Sequence, residues 1–197
     1  MLELDTPHGP ARAHLHPVDS PAGLLVLGHG AGGGVESPDL VGAMDAAREA
    51  GLSVALVEQP YRVAGRRSPA PAAQLDESWA SVVEQLRAGE LAGLSVLTGG
   101  RSSGARVACR TAAETGAAGV VCLAFPLQPP GRASAPSRLP ELDGVTVPTL
   151  VVQGERDPFG LPPPGPNRTV VTIPGTHSLR SSSTVAAVVR EWLETHP

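Results

Sequence analysis

Gly100-Arg101-Ser102-Ser103-Gly104 sets a serine between glycines two residues to either side. It closes the apolar run that starts at Leu94 and opens a helical pattern. A serine on such a strand-to-helix turn is driven into a strained backbone conformation with its hydroxyl above the sheet. The flanking glycines remove side chains that would clash there. The helix that follows aims its free N–H groups at the same point. The pattern predicts a nucleophile elbow with Ser102 as the nucleophile. The alternative is a glycine-rich turn that happens to hold serines.

A serine hydroxyl needs a base to take its proton, and the base needs an acid to hold its tautomer. His177, in Ile173-Pro-Gly-Thr-His-Ser178, follows the last apolar run. Asp157, in Val151-Val-Gln-Gly-Glu-Arg-Asp-Pro158, follows the one before it, and Glu155 competes for the role of acid. The chain order serine, aspartate, histidine is that of an α/β-hydrolase triad. Leu27-Gly-His-Gly-Ala-Gly-Gly-Gly34 supplies backbone N–H groups that can face an oxyanion. Ala31 is the favoured donor, with Gly32 second, and the N–H of Ser103 is the expected partner donor. A phosphate-binding reading of this loop would need a dinucleotide fingerprint or a P-loop lysine. The sequence holds neither, and it has no lysine at all.

The elements that must position these residues alternate. Strands are expected at Leu2–Thr6, Ala11–His16, Leu24–Leu27, Leu52–Glu58, Leu94–Leu97, Gly119–Ala124, Thr149–Gln153 and Thr169–Ile173. Helices are expected at Pro38–Gly51 (with Ser37 as N-cap), Gln74–Ala88, Ser103–Thr115 and Ser183–Thr195, plus one helical turn at Arg138–Leu142. Apolar strands separated by helices predict an α/β fold with a mostly parallel sheet covered on both faces. Ligands of such sheets bind at the carboxyl ends of the strands. His29, Gln59, Ser102, Phe125, Asp157 and His177 all fall there.

With 197 residues, 41 % hydrophobic and 17 % charged, the chain is expected to form one domain spanning 1–197. A net charge of −4 argues against a nucleic-acid partner. The first ten residues lack a basic region and an apolar core, and the apolar runs are strand-length. No secretory signal or membrane span is therefore expected. Cys109 and Cys122 are expected to be buried free thiols of a reducing cytoplasm. His14 and His16 share a strand face, but no further ligand follows at metal-site spacing, so no metal is expected. Arg62, Arg66 and Arg67 either greet an anionic substrate or belong to a solvated loop.

Several pieces carry a family resemblance: His29-Gly-Ala-Gly32, Pro60-Tyr-Arg-Val-Ala-Gly-Arg-Arg67, Gly99-Gly-Arg-Ser-Ser-Gly104, Phe125-Pro-Leu-Gln-Pro-Pro-Gly131, Gln153-Gly-Glu-Arg-Asp-Pro-Phe-Gly160 and His177-Ser178. The chain resembles the α/β-hydrolases on their dienelactone-hydrolase-like side. More narrowly, it resembles small hydrolase-like proteins related to a subunit of a eukaryotic histone-acetylating complex and to a testis-expressed homologue. Gln128 stands where that pattern has histidine, and Thr176 where it has an acidic residue. The resemblance implies an α/β-hydrolase fold without a cap domain.

The combined reading is a serine esterase that cleaves a small ester or related acyl compound without cofactor or metal. The catalytic residues are Ser102, His177 and Asp157, with Ala31 and Ser103 at the oxyanion. Roughly two dozen Pro- and Gly-rich residues separate the strand at Gly119–Ala124 from that at Thr149–Gln153, too few for a helical lid. Tyr61, Arg101, Leu127 and Phe159 are therefore expected to rim a shallow cleft and contact the substrate. The alternative from another class is a protein–protein interaction module on a hydrolase scaffold, since fold does not fix function. A protein partner is allowed but not indicated, and the oligomeric state is open.

Overall fold

Leu25 and Leu27 face one core while Leu24 and Val26 face another. A strand covered on both sides must alternate in this way. The computed structural model describes residues 1–88, 91–132 and 134–196. In chain order its elements are β1 (Leu2–Leu4), β2 (Ala11–His16), β3 (Gly23–Gly28), α1 (Pro38–Glu49), β4 (Leu52–Glu58), α2 (Pro60–Val63) and α3 (Ala72–Ala88). Then follow β5 (Ser95–Arg101), α4 (Ser103–Thr111), β6 (Gly119–Leu123), α5 (Leu139–Asp143), β7 (Thr149–Gly154), β8 (Arg168–Ile173) and α6 (Ser182–Thr195). The strands form one sheet in the order β1-β2-β4-β3-β5-β6-β7-β8. The strands β3 to β8 run parallel, while β2 is antiparallel to both β1 and β4.

On one face, α1 and α6 cover the sheet through Leu40, Ala43, Val185, Val189 and Trp192. On the other, α3 presents Leu75, Trp79, Val82 and Leu86, and α4 presents Ala105, Ala108 and Cys109. The connection from β3 runs one way, to β4, and the next strand, β5, returns to the opposite side of β3. That reversal opens a crevice at the carboxyl ends of β3 and β5, the place where such sheets bind ligands. The glycine loop leaves β3 there, and the serine turn leaves β5.

The structure departs from the sequence expectation mainly at ends. β5 runs through Gly99 and Gly100 to Arg101, because the glycines keep pairing with β3 and β6. A Cβ on Gly99 would lie 2.3 Å from the Val121 carbonyl, so this tight pairing itself requires glycine. α4 stops at Thr111 and gives way to turns. α3 starts two residues early, where Leu75 N–H reaches the Pro71 carbonyl. Ser37 occupies the N-cap of α1, yet its hydroxyl makes no capping bond. The single turn α2 was not anticipated. The thiols of Cys109 and Cys122 are free, buried and 3.5 Å apart. No helix among the described residues is long and apolar enough to cross a membrane.

A Cβ on Gly104 would lie 2.4 Å from the Gly28 carbonyl oxygen and 2.9 Å from that of His29, both backbone atoms with little room to yield. Gly104→Ala should destabilise the fold by about 3 kcal/mol, the upper end of overpacking costs. Gly33→Ala, where no atom lies within 4 Å, should stay within about 0.5 kcal/mol. Urea unfolding of both variants against the parent checks the contrast.

Candidate active site

Ser102 adopts φ 51° and ψ −105°, a conformation that L residues avoid. Holding a non-glycine residue there costs about 1–3 kcal/mol, which surrounding structure must supply. Its N–H donates to the Leu123 carbonyl at 2.8 Å, and Arg106 N–H donates to its carbonyl at 3.2 Å. Those bonds fix the turn at both ends and turn the hydroxyl toward His177.

His177 lies in the loop after β8, with Nε2 2.9 Å from Ser102 Oγ and Nδ1 2.8 Å from Asp157 Oδ2. A carboxylate only accepts, so Nδ1 carries the ring proton and Nε2 is free to accept from Ser102. Gly154 makes this loop position accessible: a Cβ there would sit 2.2 Å from the Thr176 carbonyl. Phe159 stacks on the imidazole with ring centres 4.2 Å apart and planes tilted by 36°. Glu155 is exposed and lies outside this line of bonds, so the acid that meets His177 is Asp157.

The Asp157 carboxylate is wholly buried. Oδ1 accepts from Phe159 N–H at 2.8 Å, and Oδ2 accepts from His177 and from the Gln153 side chain, also at 2.8 Å. Gln153 is itself fully buried in β7. Its Nε2 also reaches the carbonyls of Phe125 and Gly160, each at 3.0 Å, so it ties the ends of β6 and β7 to the acid.

His29 is buried, and burial holds its imidazole below the ordinary histidine range, so it is neutral at neutral pH. Nε2 accepts from Gln59 N–H at 3.1 Å, which leaves the proton on Nδ1, 2.8 Å from the Gly30 carbonyl. In a trans peptide the N–H points opposite to the carbonyl. Pinning the Gly30 carbonyl on the ring therefore turns the Ala31 N–H away from it. The Tyr61 hydroxyl fixes the next peptide by donating to the Ala31 carbonyl at 2.9 Å. The Gly30 backbone passes Ser102 closely, with a virtual Cβ 3.7 Å from that of the serine.

Each expected rim residue has a definite place. Tyr61 is buried against His29 and braces the glycine loop. The Arg101 guanidinium is held by the buried Asp39 through Nε at 2.8 Å, and its Nη2 donates to the His177 carbonyl at 3.2 Å. Leu127 packs against Gly160 beside Phe159. Gln128 bridges the two loops, its N–H donating to the Phe159 carbonyl at 2.8 Å. His14, in β2, pairs with Glu58 at the end of β4 at 3.0 Å and not with any group of the triad. Among the described residues no three possible metal ligands gather. The sequence reading missed Gln153 and Asp39 as parts of the site. The signal for Gln153 was a glutamine inside an otherwise apolar, doubly covered strand, where a polar group must find partners.

This fold and site place the chain in a known class: it belongs to the alpha/beta hydrolase domain family, which it matches over residues 21–164. Among solved structures, it is similar to XC6422 of Xanthomonas campestris, an α/β serine hydrolase without lid. The two are 20 % identical with a TM-score of 0.77, over 98 % of this chain and 93 % of that one. It is similar to a dienelactone hydrolase of Anabaena variabilis (18 % identity, TM-score 0.78, 99 % and 96 % covered). A third likeness is to Est1E of Butyrivibrio proteoclasticus, seen with bound ferulic acid (17 % identity, TM-score 0.80, 100 % and 99 % covered). No curated protein matches the chain. The family match bears out the α/β-hydrolase part of the sequence resemblance, and the solved structures share its fold; the match does not extend to the histone-acetylating-complex branch.

Gln153→Met keeps the volume and removes the donor to Asp157. Hydrogen bonds to charged groups contribute about 1.5–3 kcal/mol, which is roughly 10- to 100-fold in rate. Covalent labelling of Ser102 by a fluorophosphonate should slow by that factor while the urea midpoint shows the variant folded. An unchanged labelling rate would reduce Gln153 to core packing.

Proposed function

We propose that the chain is a serine hydrolase, a carboxylic ester hydrolase acting on a small ester or related acyl compound through an acyl-enzyme. The observation that carries this reading is the unbroken line of hydrogen bonds Ser102–His177–Asp157, set at a strained elbow. Ser102 Oγ attacks the acyl carbon as His177 Nε2 takes its proton. The tetrahedral intermediate collapses, the bond to the leaving group breaks, and His177 returns the proton to that group. Water, deprotonated by His177, then attacks the acyl-Ser102 ester, and the acid and free serine are released. Asp157 holds the imidazole and stabilises its cation.

The oxyanion takes hydrogen bonds from Ala31 N–H and Ser103 N–H. Two features support these donors. Ser103 is the first residue of α4, so its N–H has no acceptor within the helix, and the His29 and Tyr61 bonds fix both peptides around Ala31. No cofactor or metal enters the scheme. Leu127 and Phe159 would touch the substrate, and Tyr61 and Arg101 would act from behind by bracing the glycine loop and the His177 loop. Only α5 stands between β6 and β7 among the described residues, which supports an open site in a single domain. The free Cys109 and Cys122 thiols suit a reducing compartment such as the cytoplasm.

Ser102→Ala should reduce turnover of 4-nitrophenyl acetate by on the order of 10³-fold or more. Ser103→Ala, whose backbone N–H survives, should keep most of it. Asp157→Asn should cost about 10²–10⁴-fold in kcat and Glu155→Gln far less. Equal activity in Ser102→Ala, or no labelling of the parent by a fluorophosphonate, would instead favour an interaction module on a hydrolase scaffold.

Chain-length preference tests the open cleft. Each CH₂ left in water forfeits about 0.8 kcal/mol of binding, so 4-nitrophenyl esters of roughly C2 to C4 acids should give the highest kcat/KM. A profile that rises to long chains would contradict a shallow site.

A further inference from the structure

Because β3 to β8 are parallel, the segments that follow them all emerge on the edge that carries Ser102. Residues 29–37, 59–71, 124–132, 134–138, 155–160 and 174–181 belong to that edge. They contain Arg62, Arg66, Arg67, Arg132, Arg138, Arg156 and Arg180 against Glu36, Glu155 and Asp157, and the same edge also takes Glu58, the last residue of β4, and Asp5, which follows β1. Of these carboxylates, Asp157 is already engaged with His177 and Glu58 with His14. The chain as a whole carries a net charge of −4. The edge is therefore net positive, seven arginines against five carboxylates, on a molecule whose overall charge is negative.

The pairing pattern sharpens the asymmetry. Of the other arginines, Arg12, Arg101, Arg106, Arg110, Arg168 and Arg190 each hold a carboxylate, whereas Arg48 and Arg87 form no ion pair among the described residues. None of the seven rim arginines forms an ion pair among the described residues. Arg62 spends one N–H on the Arg66 carbonyl and Arg138 one on the Pro126 carbonyl. The other five rim arginines are exposed. The rim is also close to the reacting groups. Arg62 follows Tyr61; burial is the main cause of the lowered proton affinity of His29, and the Arg62 charge adds to it while Glu58 opposes it. Arg156 precedes Asp157, with its N–H on the Gly175 carbonyl at 3.0 Å, and Arg180 lies three residues after His177.

We propose that this rim collects anions, and that the substrate carries an oxyanion group, a carboxylate or a phosphate, besides the acyl bond that Ser102 attacks. The inference rests on the serine hydrolase reading above. A cleft lined by one sign of charge raises local counter-ion concentration and association rates by roughly 10- to 10³-fold. Exposed charges act over a Debye length of about 8 Å at physiological salt, so the preference must fade as salt rises. Guanidinium groups suit both anions, since they bind carboxylate and phosphate oxygens in a fork.

The test compares esters that share the acetyl group and differ in the charge of the leaving group: neutral 4-acetoxybenzamide, 4-acetoxybenzoate and 4-acetoxyphenyl phosphate. At low ionic strength kcat/KM should favour an anionic ester over the neutral one by about 10-fold or more, and the ratio should collapse in high salt. Which anion is preferred identifies carboxylate or phosphate as the recognised group. The combined variant Arg66→Gln, Arg67→Gln, Arg156→Gln, Arg180→Gln should bring the ratio toward one. Parity in the parent at low salt, or a ratio that persists in high salt or in the variant, overturns the anion rim alone. If the neutral ester shows no turnover that Ser102→Ala abolishes, the hydrolase reading falls, and this inference with it.

Discussion

Three stretches of backbone meet at the head of β3 and β5 with no side chain between them, and the site depends on that contact. Cβ atoms on Gly100 or Gly104 would each lie 2.4 Å from the Gly28 carbonyl oxygen. The glycine loop can pass beside the serine turn only because these positions are bare. Closeness in turn forces the turn to be sharp, and sharpness puts Ser102 at φ 51°. The strain is held by many small contacts: the β3–β5–β6 ladder, the bond to the Leu123 carbonyl, and α4 packed through Ala105 and Ala108. A serine in a relaxed loop would have none of this support and no fixed aim.

Two carboxylates are buried near this point, and each is compensated in a different way. Asp39, at 1 % exposure, is neutralised by the Arg101 guanidinium. Asp157 has no arginine. Its charge is met by three N–H groups, from Phe159, Gln153 and His177. The difference is chemically sensible. In the proposed mechanism, a full cation beside Asp157 would compete with the imidazolium formed on His177, whereas neutral donors fix the carboxylate and leave its field available to the ring. Arg101 meanwhile touches the His177 loop only through a backbone carbonyl. A buried ion pair of this kind is weak evidence for stability, and its visible effect is geometric: it joins α1, the serine turn and the histidine loop.

How much of this could be read in the sequence follows from how local each cause is. The elbow was legible because strand, glycines and helix are contiguous there. Asp157 and His177 were legible because strand ends can be read from apolar runs, and parallel strands put their ends on one edge. Helix and strand limits were less so: β5 continues through Gly99 and Gly100 only because β3 and β6 flank it, and no local propensity of glycine says that. The Asp39–Arg101 pair joins residues 62 apart, and nothing in either segment names the other. Tyr61 could be read as pocket wall or loop anchor. The choice turns on one hydroxyl bond to Ala31, a contact made by folding.

An open site places its demands elsewhere than a lidded one. With no cap to exclude water, the reacting groups must be ordered before the substrate arrives, because closure cannot order them later. The bonds around His29, Tyr61, Gln153 and Arg101 meet that demand from the protein side: each fixes a backbone peptide or a ring, and none waits on a ligand. Short-range burial offers little selectivity in such a cleft. Long-range charge remains effective where burial is not, since it acts before contact and needs no enclosing wall. In the reading proposed above, a rigid site beside exposed arginines would divide the labour along those lines: preorganisation would serve the reaction, and the field outside would serve the choice of substrate.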